Sequence, residues 1–121
     1  MKTRTLESKL WLPLDIARVF AFFADAHNLD LLTPPWLHFQ ILTPPPIRLG
    51  AGALIDYRLK IHKVPVRWQS EITLWEPPHR FVDEQRRGPY KRWVHSHSFE
   101  ARDQGTLIRD RVDYAVPGFV C

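Results

Sequence analysis

The chain is short of cysteine, of glycine and of long apolar runs, and each shortage removes a class of protein. Its one cysteine, Cys121, is the last of 121 residues. A single thiol forms no internal disulfide, which excludes a disulfide-stapled secreted scaffold. The longest apolar stretch, 17–26, is broken by Arg18 and Asp25 and falls well short of the roughly 20 residues that a spanning helix needs. No integral membrane segment is expected. Met1-Lys2-Thr3-Arg4 leads into alternating polar and apolar residues, without an apolar run or a small-residue cleavage site, so a cytoplasmic location is expected. The five glycines make no phosphate-cradling loop, and there is no nucleophile elbow.

What remains reads as one folded domain over 1–121. Hydrophobic residues make up 45% of the chain and charged residues 25%, the balance of a globular protein. The net charge of +4 is spread from Arg4 to Arg111, whereas nucleic-acid binders concentrate charge on one face. No nucleic-acid partner is expected. The densest cluster, Arg86, Arg87, Lys91 and Arg92 around Gly88-Pro89-Tyr90, reads as a solvated hairpin turn in preference to a phosphate site.

Alternation predicts a first strand over Thr3–Leu12 with one buried face. Pro13 stops it, and Asp15 caps a helix whose apolar positions Ile16, Val19, Phe20, Phe22 and Phe23 form a stripe ending near Ala24. A second helical piece is predicted over His27–Leu32, stopped by Thr33-Pro34-Pro35. From Trp36 onward the helical signal gives way to strands over Trp36–Thr43, Leu54–Lys63, Val66–Trp75, Arg80–Arg86, Arg92–Ala101 and Thr106–Val116. Short connections predict an antiparallel meander and an α+β fold.

A two-residue turn at Asp103-Gln104 sets His97 opposite Asp110, His95 opposite Val112 and Phe99 opposite Ile108. A buried carboxylate needs a partner, so Asp110 either satisfies His97 within a core or forms a catalytic dyad with it. Asp83 and Gln85 add inward polarity, and Tyr57, Trp68, Phe81, Trp93 and Tyr114 add aromatic walls. A mostly apolar chamber with a few convergent polar groups describes a small-molecule pocket. His95 and His97 form an HxH pair, but no Cys or nearby Glu completes a ligand set, with Asp110 the only other candidate. Neither a metal nor a cofactor is expected.

The order of strand, two short helices and meander resembles the START-like, helix-grip group known as the SRPBCC superfamily, which includes polyketide cyclases and coenzyme Q-binding proteins. The resemblance is carried by Leu12-Pro13, Val19-Phe20-Ala21-Phe22-Phe23, Leu32-Thr33-Pro34-Pro35-Trp36, Trp75-Glu76-Pro77-Pro78, Phe81-Val82-Asp83-Glu84-Gln85, Gly88-Pro89-Tyr90, Trp93, His95, His97-Ser98-Phe99 and Asp110-Arg111-Val112-Asp113-Tyr114. It implies a curved sheet wrapped on a long C-terminal helix, a helix that this chain, ending at Val120-Cys121, is expected to lack. The inner face then predicts a homodimer that covers it.

Three functions follow as expectations. The leading one is binding or transport of a lipid, quinone or polyketide-like molecule by Tyr57, Trp68, Phe81, Asp83, Gln85, Trp93, His95, His97, Phe99, Asp110 and Tyr114. Its rival is a cyclase or dehydratase in which His97, poised by Asp110, moves a proton while His95, Asp83 or Tyr57 binds an oxygen. The third is an interaction module with an exposed apolar patch and no enclosed pocket.

Overall fold

The computed structural model describes residues 2–28, 36, 38–44, 47 and 49–117. Strand β1, Arg4–Leu12, leads to helix α1, Ile16–Phe23, and a 3-10 turn, Ala26–Asn28. Six strands come next: β2 Gln40–Ile41, β3 Leu54–Ile61, β4 Val64–Glu76, β5 Arg80–Arg87, β6 Arg92–Arg102 and β7 Gly105–Ala115. All seven form one curved antiparallel sheet in the order β1-β7-β6-β5-β4-β3-β2. The chain is thus an α+β protein in which β2 to β7 meander and β1 closes on β7.

Helix α1 begins where the sequence predicts, because the Asp15 carboxylate accepts the Arg18 amide at 3.1 Å and satisfies an otherwise orphaned donor. Its buried residues Val19 and Phe20 pack on Ile72, Phe81, Phe99 and Ile108 of the sheet. Phe20 stands edge-on to Trp75, Phe81 and Phe99 with centroids 5.3–5.7 Å apart, the favoured geometry for aromatic rings. This cluster fastens the helix across one end of the sheet.

The predicted turn at Asp103-Gln104 is present, with φ of 51° and 61° at the two residues. It sets His97 opposite Asp110, His95 opposite Val112 and Phe99 opposite Ile108, as the sequence leads one to expect. Gly105 closes this turn, and a Cβ there would collide with the Leu12 carbonyl oxygen and the Trp11 indole. Only glycine lets β1 approach so closely.

Several elements differ from expectation. The piece predicted over His27–Leu32 is a 3-10 turn at Ala26–Asn28, and residues 29–32 lie outside the described residues, as do 33–35 and 118–121. The second strand is only Gln40–Ile41. The β3–β4 turn falls at His62-Lys63, so Pro65 sits within β4 opposite Lys60. That position is tolerated because β5 pairs with β4 only from Gln69 onward, leaving the edge beside Pro65 without a ladder. A register shift between Ile72 and Leu74 breaks the simple alternation that starts at Trp68, and Trp75 packs on the core. Strand β1 has no buried face: Leu6 and Leu10 are 57% and 51% exposed, since α1 reaches only the Leu12 end.

Candidate functional site

Between α1, the 3-10 turn and the inner face of β3 to β6 lies a cavity of about 230 Å³. Its apolar lining includes Phe39, Ile55, Leu59, Trp68, Ile72 and Phe81. The strands supply these residues by simple alternation, since every second side chain of β3 and β4 points inward. Phe23, Ala24 and Ala26 close the helix end.

Three polar residues, Asp83, His95 and His97, enter the same cavity. His97 Nε2 lies 2.7 Å from Asp83 Oδ2, and its Nδ1 lies 3.3 Å from Asp110 Oδ1. His95 Nε2 shares that Asp110 oxygen at 3.1 Å. Burial pushes the His97 imidazolium toward its neutral form, but contacts with Asp110 and Asp83 overcome this and raise its pKa from 6.5 to about 9. Burial also pushes the Asp110 carboxyl up, and the two histidines reverse that and hold it well below the usual carboxylate range. The result is an imidazole clamped between two carboxylates and stacked on Phe81 and His95, with centroids 4.1 and 3.7 Å apart. Among the described residues, Asp83, His95 and His97 also form a group whose ligand atoms all lie within 4.8 Å of one another. The expectation of no metal lacked this third donor, which the sheet brings in from β5.

A second polar point is Ser70, 3% exposed. Its hydroxyl lies 2.6 Å from the Tyr57 hydroxyl and accepts the Trp68 indole N–H at 3.0 Å. Burial raises the Tyr57 phenol well above its ordinary pKa, against the bond to Ser70 that lowers it.

Seven of the eleven residues expected to bind a ligand line the cavity: Tyr57, Trp68, Phe81, Asp83, Trp93, His95 and His97. The other four do not. Gln85 instead braces the β5–β6 hairpin, donating to the Tyr90 carbonyl at 2.6 Å and accepting its amide at 3.1 Å. Phe99 belongs to the core beneath α1. Asp110 stands behind the two histidines, and Tyr114 packs on Tyr90 and Trp93. The basic cluster includes Arg86, which pairs with Glu71 at 2.6 Å, in keeping with a solvated turn.

Residues 12–120 match the family described as polyketide cyclase / dehydrase and lipid transport. The chain belongs to this family. No curated protein matches it. Among solved structures it is similar to protein TTHA0849 from Thermus thermophilus, at 18% identity and TM-score 0.72 over 97% of this chain and 77% of that one. CV1439 from Chromobacterium violaceum superposes with TM-score 0.75 at 14% identity, over 97% of this chain and 83% of that one. A Thalictrum norcoclaurine synthase point mutant, solved with a transition-state analogue, superposes with TM-score 0.71 at 13% identity, over 98% and 79%. At these identities the likeness is one of fold, the helix-grip fold, and the family match over residues 12–120 places the chain in the SRPBCC group.

For this member of the polyketide cyclase/dehydrase family, sequence reasoning passed over several wall residues, among them Leu49, Ile55, Leu59, Ser70 and Ile72. The alternation of β3 and β4 places Ile55, Leu59, Ser70 and Ile72 on the same face as Tyr57 and Trp68, so the signal was available. Leu49 and Phe39 lie outside the regular alternation. Among the described residues no helix is long and apolar enough to cross a membrane.

Proposed function

We propose that residues 1–121 act as one unit that binds or transports a hydrophobic small molecule of lipid, quinone or polyketide type in this cavity. The observation that supports it most is the contrast within one wall. Ile55, Leu59, Ile72 and six aromatic rings offer apolar surface, while Asp83, His95 and His97 gather at one place in it. Apolar burial at about 25 cal/mol per Å² drives entry, and the polar group orients the head of the guest. An engineered cavity of about 150 Å³ takes benzene, so a space of about 230 Å³ suits a body of one or two rings. The single cysteine fits a reducing, cytoplasmic setting. A homodimer covering Leu6 and Leu10 is part of this reading, and a monomeric mass by light scattering at micromolar concentration would count against that part.

The test is titration with the fluorescent naphthalene probe 1-anilinonaphthalene-8-sulfonate, comparing the native chain with Leu59→Trp, which fills the cavity. The native chain should bind one probe, and the variant should lose about tenfold or more in affinity while keeping its thermal midpoint. Equal binding by both proteins would overturn the reading.

A second reading, a cyclase- or dehydratase-type enzyme, is favoured by one observation: His97 faces the cavity with both nitrogens held by carboxylates. Such a ring can pass a proton to a bound guest, and a solved neighbour, the norcoclaurine synthase, is by its name an enzyme. Here His97→Ala separates the two: modest loss of affinity in a binder, collapse of turnover in an enzyme.

A further inference from the structure

We infer that Asp83, His95 and His97 form a binding site for one divalent first-row transition-metal ion, such as zinc or iron(II), in the wall of the cavity. The ligand atoms of the three lie within 4.8 Å of one another. Zinc stands roughly 2.0–2.2 Å from nitrogen and carboxylate oxygen, so donors around a common ion are roughly 3–3.4 Å apart. His97 Nε2 and Asp83 Oδ2, at 2.7 Å, need to part by only a few tenths of an ångström to admit it.

Asp110 supports this arrangement from behind. Its Oδ1 lies 3.3 Å from His97 Nδ1, so His97 can offer Nε2 to the ion while its other nitrogen is directed at a carboxylate. Metal-binding histidines are held in this way, because the outer partner fixes the tautomer and the ring orientation. The same oxygen lies 3.1 Å from His95 and ties both rings to one anchor.

Two imidazoles and one carboxylate suit zinc or iron(II); magnesium and calcium demand all-oxygen shells. Because all three donors line the cavity, the remaining coordination positions open onto the guest space, as reactive metal sites require. This inference does not depend on the apolar-guest reading, and either can fail alone.

The test uses the full chain, stripped with chelator and titrated with zinc chloride by calorimetry and with cobalt chloride by visible absorption. One ion per chain should bind, with cobalt d–d bands, while magnesium chloride gives no heat. Ring nitrogen resonances of His95 and His97 should shift on zinc addition. Asp83→Asn and His95→Gln should each weaken binding by more than the roughly tenfold that loss of an outer partner costs; if one fails to fold, the other still decides. The inference is overturned if the native chain takes up no ion. It is equally overturned if both variants bind as the native chain does, which would place the ion on exposed histidines such as His38, His62 or His79.

Discussion

His97 reaches diagonally from β6 to Asp83 on β5, Nε2 to Oδ2 at 2.7 Å, although its direct partner in the register is Phe81. Phe81 uses the direct position to stack its ring on the imidazole, interplanar angle 10°. The diagonal step therefore lets one histidine hold an aromatic wall and a carboxylate together, while Asp110 approaches from β7 on the other side.

If the two carboxylates sustain the His97 charge, removing one must lower its pKa. In chelator-treated protein the native value should titrate near 9, and Asp83→Asn should bring it down by about one unit or more, the usual effect of losing an opposite charge at contact. Ring nitrogen NMR against pH reads this directly. An unchanged value in the variant would mean that Asp110 alone holds the proton.

The same clamp makes stability depend on pH. His97 has a folded pKa raised above its ordinary 6.5, so its contribution is complete below 6.5 and is lost as pH rises through about 9. Burial biases Asp110 upward, but its histidines hold it below its ordinary 3.8, so its contribution is present above 3.8 and lost as pH falls below it. Urea unfolding of the metal-free chain should thus show greatest stability between these windows. The loss on passing through about pH 9 should be on the order of 3 kcal/mol. A profile flat across that range would contradict the clamp.

Ser70 offers a comparison of two kinds of loss. Tyr57→Phe removes one partner of the Ser70 hydroxyl and leaves its bond to Trp68, and should cost about 1 kcal/mol. Ser70→Ala strands both the tyrosine hydroxyl and the indole N–H beside a buried position, and should cost more, about 1–3 kcal/mol. Denaturant midpoints of the two variants rank them. The reverse order would show that water reaches the indole.

How far the sequence foretold this site varies residue by residue. The facing of His97 and Asp110 was legible because a two-residue turn at Asp103-Gln104 sets the register of both strands, and period-two alternation then carries it along their length. Asp83 was legible as inward-facing but not as a partner of His97. That contact depends on the stagger of β5 against β6, which a longer connection around Gly88-Pro89-Tyr90 and the Gln85 brace determine. The packing of Trp75 on the core was not legible, because the irregularity between Ile72 and Leu74 carries no glycine or proline to mark it. Leu6 and Leu10 show a further limit: alternation tells which side chains share a face, and only tertiary packing tells whether anything covers it.

The turn residues themselves hold a last consequence. His62 and Lys63 join Ile61 to Val64 with φ of 51° and 68°, and Asp103 and Gln104 join Arg102 to Gly105 at 51° and 61°. All four are non-glycine residues in the left-handed region, where a Cβ crowds the following carbonyl at a cost of roughly 1–2 kcal/mol. Glycine relieves that strain but adds roughly 0.5–1 kcal/mol of unfolded-chain entropy, leaving a net gain of about 0.5 kcal/mol for Lys63→Gly and for Gln104→Gly. Lys60→Gly, within β3, has no strain to relieve and should lose stability by about the entropy cost alone. Urea midpoints of the three variants should therefore move in opposite directions, the two turn substitutions upward and the strand substitution downward. Equal losses at all three positions would mean that the turns are relaxed in solution and that the register they impose on His95, His97 and Asp110 has another origin.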